Sequence, residues 1–288
     1  AVTLPILADY TAKDRELQEL LEDVKAGRLR RSLASYKHFF GELSVHHGVI
    51  MRGEKILVPR KLRPEVLAAA HEGHPGREGL LRLLRQSVWW PGLTQDVKSY
   101  TESCVGCAAA LPATTTPPME VRDTPERVWS ELAADFKGPI GGAGGYYFHV
   151  LIDQFSRWPE VEMVKSTSWR QLKPALDRSF AQLGIPDSVT HDNGPSYNSR
   201  EWREYAREEG FSLKPCTPEH PASNGIAERF MAVIVKVVHA AIAEGKDPKV
   251  EMWKRLRNYR NTPHPSTGKS PAELMMARQL KTRVPALL

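Results

Sequence analysis

The sequence predicts an α/β protein in which a mixed sheet with helices on its faces follows a small helical segment of metal-ligand spacing. Three observations predict it. From residue 123 onward, strand-like runs come first and then alternate with helical ones, in the order βββαβαβαα. Before that, residues 61–110 read as helices carrying His71-x-x-His74 and Cys104-x-x-Cys107. Between the two lies AAALPATTTPPMEVR, whose small residues, threonines and prolines mark a linker. The expected organisation is an N-terminal extension (1–60), a zinc-binding helical domain (61–110), a linker (111–122), an α/β core (123–280) and a tail (281–288).

Composition narrows the class. The chain has 288 residues, 41% hydrophobic and 26% charged, which suits a folded protein of about two domains. A net charge of +6 is compatible with a polyanionic partner and too small to require one. Three cysteines, two of them in one C-x-x-C, make no disulfide framework, and Cys216 is expected to be buried and inert. No apolar run is long enough to cross a bilayer, and the N-terminus lacks the basic region of a signal peptide.

The elements follow in order. DRELQELLEDVKAG reads as an amphipathic helix closed by Gly27. FGELSVHHGVIMRGEKILVPRKLR gives two apolar segments around a turn at Arg52-Gly53. PEVLAAAHEGHPG is a short helix ending near Gly73, because His74 precedes a proline. REGLLRLLRQS and TQDVKSYTESC are two more, the second with Thr94 as expected N-cap. Strands are expected in ELAADFKGP, YYFHVLIDQ and EVEMVKS, then a helix closed by Gly184. A short strand reaches Asp192, a helix closes at Gly210, and FSLKP forms another strand. NGIAERFMAVIVKVVHAAIAEG is a long helix closed by Gly245, with Val233, Val237 and Ile242 expected to face the sheet, and two helices follow.

The His and Cys pairs are separated by 29 residues, enough for a helical hairpin that could bring them together. Zinc takes four N/S ligands in a tetrahedron, and a segment of about fifty residues has a thin core that a metal would staple. Taken singly, the C-x-x-C could be a redox pair or two small buried hydrophobes, and His46-His47 is a rival histidine pair, read here as structural. Three acids form the second constellation. Asp135 is expected at the end of the first core strand, Asp192 at the end of another, and Glu228 in the first turn of the long helix. Carboxylates gathered there would repel unless cations offset them, and two Mg²⁺ or Mn²⁺ would suit phosphoryl transfer. Each acid also has a plain reading: Asp192-Asn193-Gly194 as a turn, Glu228 as a dipole partner, Asp135 as a turn start, with Asp153 a rival.

HEGHPG, WWPGLTQDVKSYTESCVGC, AADFKGP, HDNGPSYNS and HPASNGIAERF together resemble retroviral-type DDE integrases, and in particular those of gypsy-class LTR retrotransposons. The likeness runs from about residue 40 to 280, with 35 residues between Asp192 and Glu228 as in the family's D-x(35)-E pattern. It implies an RNase H-like catalytic core behind an H-H-C-C domain holding one structural Zn²⁺ through His71, His74, Cys104 and Cys107. It further implies 3′-end processing of element DNA and strand transfer into target DNA, with Asp135, Asp192 and Glu228 holding two Mg²⁺ or Mn²⁺. Asn193, Ser196, Tyr197, Asn224, Arg229 and Lys236 are the residues it places near DNA. Homo-multimers, dimer or tetramer, acting on DNA in the host nucleus without a membrane are implied as well. The long helix departs from the family's pattern in offering only Arg229, Lys236 and His239 toward phosphates. Two alternatives stand beside the transferase: a domesticated, non-catalytic nucleic-acid- or protein-binding module, and a nuclease that only hydrolyses.

Overall fold

The computed structural model describes residues 2–109, 125–141, 144–216 and 224–286. The expected linker falls almost wholly outside these residues, as do His220–Ser223 ahead of the long helix. Two compact units emerge: Ala1–Cys107 with Lys281–Leu288, and Ala108–Leu280.

The first unit opens with α1 (Leu4–Lys13) and α2 (Arg15–Ala26). Asp14 caps α2 by accepting from the Glu16 and Leu17 amides, and Gly27, in the left-handed region, ends it. After tight helical turns over Arg31–Glu42 come β1 (Leu43–His46), β2 (Val49–Arg52) and β3 (Lys55–Leu57). The expected turn at Arg52-Gly53 joins β2 to β3, and a second turn at His47-Gly48 makes the pair a three-stranded meander. There follow α3 (Arg63–Ala70), α4 (Arg77–Leu84), β4 (Val88–Trp89), α5 (Leu93–Glu102) and α6 (Val105–Ala109). Thr94 is not the N-cap of α5. Gly92, at φ 85°, takes that place, and the Thr94 hydroxyl instead accepts from Arg85.

A boundary at residue 60 is not what the packing draws. Strand β4 pairs in parallel with β3, so the extension and the helical segment share one sheet. They also share one core, in which Leu7, Leu20, Ile50 and Ile56 are buried with Leu80, Leu84 and Trp90. Nor is the tail separate, because Val284 is buried in that core and Arg283 pairs with Glu72.

The second unit follows the expected order. Its elements are β5 (Glu131–Lys137), β6 (Tyr147–Asp153), β7 (Pro159–Val164), α7 (Trp169–Leu183), β8 (Ser188–His191), α8 (Arg200–Glu209) and β9 (Ser212–Pro215). Then come α9 (Gly225–Ala243), α10 (Pro248–Arg260) and α11 (Pro271–Met276). The sheet order is β7-β6-β5-β8-β9, antiparallel through β7-β6-β5 and parallel through β5-β8-β9. Helix α9 lies on one face, burying Phe230, Ile234 and Val238 with Val150 and Ile152. On a second core, Leu172, Leu176 and Trp202 pack with Leu132 and Leu151. Side chains alternate across a strand, which is why neighbouring residues of β5 enter different cores. Val237 is buried, and Val233 and Ile242 are half-buried.

Candidate functional site

His71 ends α3, and His74 sits in the turn beyond it at φ 52°. Cys104 and Cys107 flank the start of α6. The structure brings all four together, with one ligand atom from each within 4.8 Å of every other. Cys107 Sγ lies 3.4 Å from His71 Nε2, and Cys104 Sγ lies 3.4 Å from His74 Nδ1. Ligands at zinc's bond lengths span tetrahedron edges of about 3.4–3.8 Å, so the donor set fits that ion. The Cys107 amide points at Cys104 Sγ, 3.5 Å away, as suits a sulfur that carries negative charge. His46 and His47 stand outside the cluster.

The acids belong to the second unit, and strand register assembles them. In the parallel β5–β8 pair, Ala134 stands opposite His191, so the next residues, Asp135 and Asp192, are level. Asp135 is therefore not at the strand end as expected but inside β5. Asp192 leaves β8 in a turn where its Oδ1 accepts from the Gly194 amide at 3.0 Å. A Cβ at Gly194 would meet that oxygen at 2.9 Å, so a side chain there would push the Asp192 carboxylate aside. Helix α9 is drawn to the same place by Asn224, whose Nδ2 donates to the Ala134 carbonyl at 2.9 Å. Glu228, one turn on, then lines one cleft of about 880 Å³ with Asp135 and Asp192.

Electrostatics register the gathering. Burial pushes the Asp135 carboxyl up to about 7, and the charges of Asp192 and, to a smaller degree, Glu228 add to the push. Asp153, the rival acid, is fully buried, and its carboxylate is engaged by the Ser156 amide and hydroxyl and, at 3.4 Å, by the Phe155 amide. Such a use is structural. The three cleft acids do not converge as tightly as the His/Cys group, the one set of chelating reach among the described residues. They are oxygen donors lining a shared opening, which is the chemistry hard divalent cations take.

The same cleft gathers basic side chains. Arg229, Lys236 and His239 line it, as does Lys137, which the sequence reading missed. The signal was present: Lys137 lies two residues beyond Asp135, on the same face of the strand.

Other expected DNA neighbours are placed differently. Ser196 and Tyr197 are buried, the former donating to the Thr167 carbonyl and the latter stacked on His191. Asn224 is buried too and ties α9 to β5, so these three shape the site from behind and offer DNA no surface. Asn193 is exposed and donates to the Cys216 carbonyl. Cys216 itself is half-buried, contrary to expectation, because β9 lies at the sheet edge.

Comparisons with known proteins agree with this anatomy. The family described as integrase zinc binding domain matches residues 58–113, and the integrase core domain matches residues 125–221. An uncharacterized Caenorhabditis elegans protein is 28% identical over 96% of this chain and 22% of its own length. The Pro-Pol polyprotein of simian foamy virus type 3 is 28% identical over 75% of this chain and 19% of its own. A Tf2 transposon polyprotein of Schizosaccharomyces pombe is 25% identical over 77% and 18%. The chain thus spans about a fifth of the length of these relatives. Among solved structures, a simian T-cell lymphotropic virus intasome in complex with a PP2A regulatory subunit superposes with a TM-score of 0.54 at 16% identity, covering 75% of this chain and 74% of that one, which speaks for the fold. The chain thus carries an integrase zinc binding domain followed by an integrase core domain, and it is similar to retroviral and retrotransposon polyproteins.

Proposed function

We propose that this chain is a DDE polynucleotidyl transferase of a gypsy-class LTR element, which processes the 3′ ends of element DNA and joins them to target DNA. The observation that carries the reading is the register that sets Asp135 level with Asp192, with Asn224 holding Glu228 to the same cleft. Asp135, Asp192 and Glu228 would hold Mg²⁺ or Mn²⁺, which supplies a deprotonated nucleophile and charge stabilisation at the leaving oxygen. The chain's own part is position and charge. Lys137, Arg229 and Lys236 attract and orient the phosphodiester, while the Gly194 turn keeps the Asp192 carboxylate facing the cleft. His71, His74, Cys104 and Cys107 would hold one structural Zn²⁺. Element-end and target DNA are the proposed partners, engaged by a homo-multimer, and the intasome likeness is the motive for the latter.

A non-catalytic binding module was motivated by the sparse basic face of α9. Lys137 enters the cleft from β5 and supplies part of what the helix lacks. Binding alone also gives no reason to push an Asp135 carboxyl up to about 7 among other acids. The deciding assay mixes the protein and its Glu228→Gln variant with Mg²⁺ or Mn²⁺ and duplexes ending in element termini. Joined products from the wild type alone support the transferase. Cleavage without joining on the element's own termini would favour a hydrolase, and retained DNA binding with neither reaction there would favour the binding module.

A further inference from the structure

A second cleft, of about 370 Å³, opens on the first unit. Arg52 closes β2 and Lys55 opens β3, paired in register across the turn at Gly53, so their side chains share a face of the sheet. Strand β4 sets Trp89 beside β3, and Arg85 comes from the end of α4 shortly before it. Phe39, in the tight turns ahead of β1, meets the Trp89 ring edge-on with centroids 4.9 Å apart. The Arg52 guanidinium lies over both rings, 4.0 Å from the Phe39 centroid and 4.8 Å from that of Trp89. That contact and an ion pair of 2.7 Å with Glu42 fix the guanidinium plane, while the Arg52 side chain stays 25% exposed. Arg85 is exposed and donates to the Thr94 hydroxyl, and Lys55 is half-buried. Neither makes an ion pair among the described residues. Arg52, Lys55 and Arg85 all line the cleft, whereas no acid among the described residues does, and Glu42 stands outside the lining.

We propose that this cleft takes one unpaired nucleotide of a DNA strand, with the base on the stack of Phe39, Arg52 and Trp89 and the phosphate on Lys55 and Arg85. The chemistry of the lining selects that occupant. Bases stack on aromatic rings and on guanidinium planes whatever their identity, and the free cations at the rim answer the phosphate. A volume of this size holds one nucleotide, whereas a stacked base pair would meet only the rim. None of these residues lines the acid cleft or belongs to the His/Cys group, so the site is separate from both. The inference rests on the reading of this chain as a protein that acts on DNA, and it requires neither a catalytic metal nor catalysis.

The test is binding by the full chain with zinc present and without Mg²⁺ or Mn²⁺. Its arms are a short oligo(dT) carrying 5-iododeoxyuridine, a blunt hairpin duplex of equal charge, and dTMP. Phe39→Leu, which keeps an apolar side chain and removes the ring, is expected to weaken oligo(dT) binding about tenfold and to leave the duplex unaffected. Arg85→Ala should reduce the slope of log K against log salt for oligo(dT) by about 0.7, and Arg85→Lys should restore it. Light-induced crosslinks from the iodinated base should map to Phe39 or Trp89. Crosslinks confined to residues 108–280 overturn the proposal, as does an equal loss of duplex and oligo(dT) binding in Phe39→Leu. Binding of dTMP as tight as that of oligo(dT) would assign the cleft to a free nucleotide instead of a strand. Displacement of oligo(dT) by poly-glutamate at equal charge would assign it to acidic peptides. Should Phe39→Leu not fold, the exposed Arg85 position and the crosslink map decide the matter on their own. Failure of strand transfer in the Glu228 assay leaves a positive result here standing, and strand transfer without crosslinks at Phe39 or Trp89 rejects this inference alone.

Discussion

Asp135 shows how much a single side chain can report. An aspartate of ordinary value 3.8 is held at about 7 by burial and by its acidic neighbours, so the folded chain keeps a proton that the unfolded chain releases. Stability conferred by that proton is present at low pH and is lost as pH rises from about 4 to 7. Asp135→Asn, neutral in both states, should match the wild type near pH 4 and melt at a higher temperature by pH 8. The gap should open between those values and stay constant above about 7. Adding Mg²⁺ should raise the wild-type melting temperature and leave the variant unmoved. Scanning calorimetry across pH checks it, and a wild type as stable as the variant at pH 8 would mean that neither burial nor the neighbouring acids hold the Asp135 proton. The residue types here were legible in sequence, since acids flanked by apolar residues stand out, although Asp135 lies inside its strand and not at the end. What was not legible was which polar neighbours would face inward: Ser196, Tyr197 and Asn224 belong to the same motifs and are buried.

Among elements, β5, β8 and α9 make the site together. Periodicity gave the strands and helices of the second unit in the right order, because a strand buried on both faces and a long apolar helix are strong local patterns. Register is a different matter. Whether Asp135 stands level with Asp192 depends on pairing between segments far apart in the chain, which no local pattern encodes. The same limit hid β4, two residues that become a strand only by pairing with β3. Asn224 is the fastening between helix and sheet. Asn224→Ala leaves the buried Ala134 carbonyl without that donor, at a cost of about 1–3 kcal/mol. The melting transition of the second unit should fall by several degrees. Strand transfer should fall by more than the lost folded fraction explains, because Glu228 would no longer be held to the cleft. Loss of stability with full specific activity would show that α9 is positioned by its apolar face alone.

On the scale of the whole chain, two units with separate cores imply two responses to metal. The sequence suggested that a segment of about fifty residues has a thin core that zinc would staple. The packing changes that expectation. Leu7, Leu20, Ile50 and Val284 bury themselves with Leu80, Leu84 and Trp90, and β4 joins the sheet begun by β1 to β3. Even a ligand set able to hold zinc thus staples only one end of a larger core: the close of α3 to the start of α6. A chelator should therefore lower the melting temperature of the first unit without unfolding it at room temperature. Amide exchange should rise most around His71, His74 and residues 100–107, while the amides of β2 and β3 stay protected. Mg²⁺ should act on the other transition alone. Calorimetry with and without chelator, followed by hydrogen exchange, measures both responses. Complete unfolding of the first unit on chelation would mean that its shared core is too weak to stand without the ion, as in small domains whose metal binding is their folding energy.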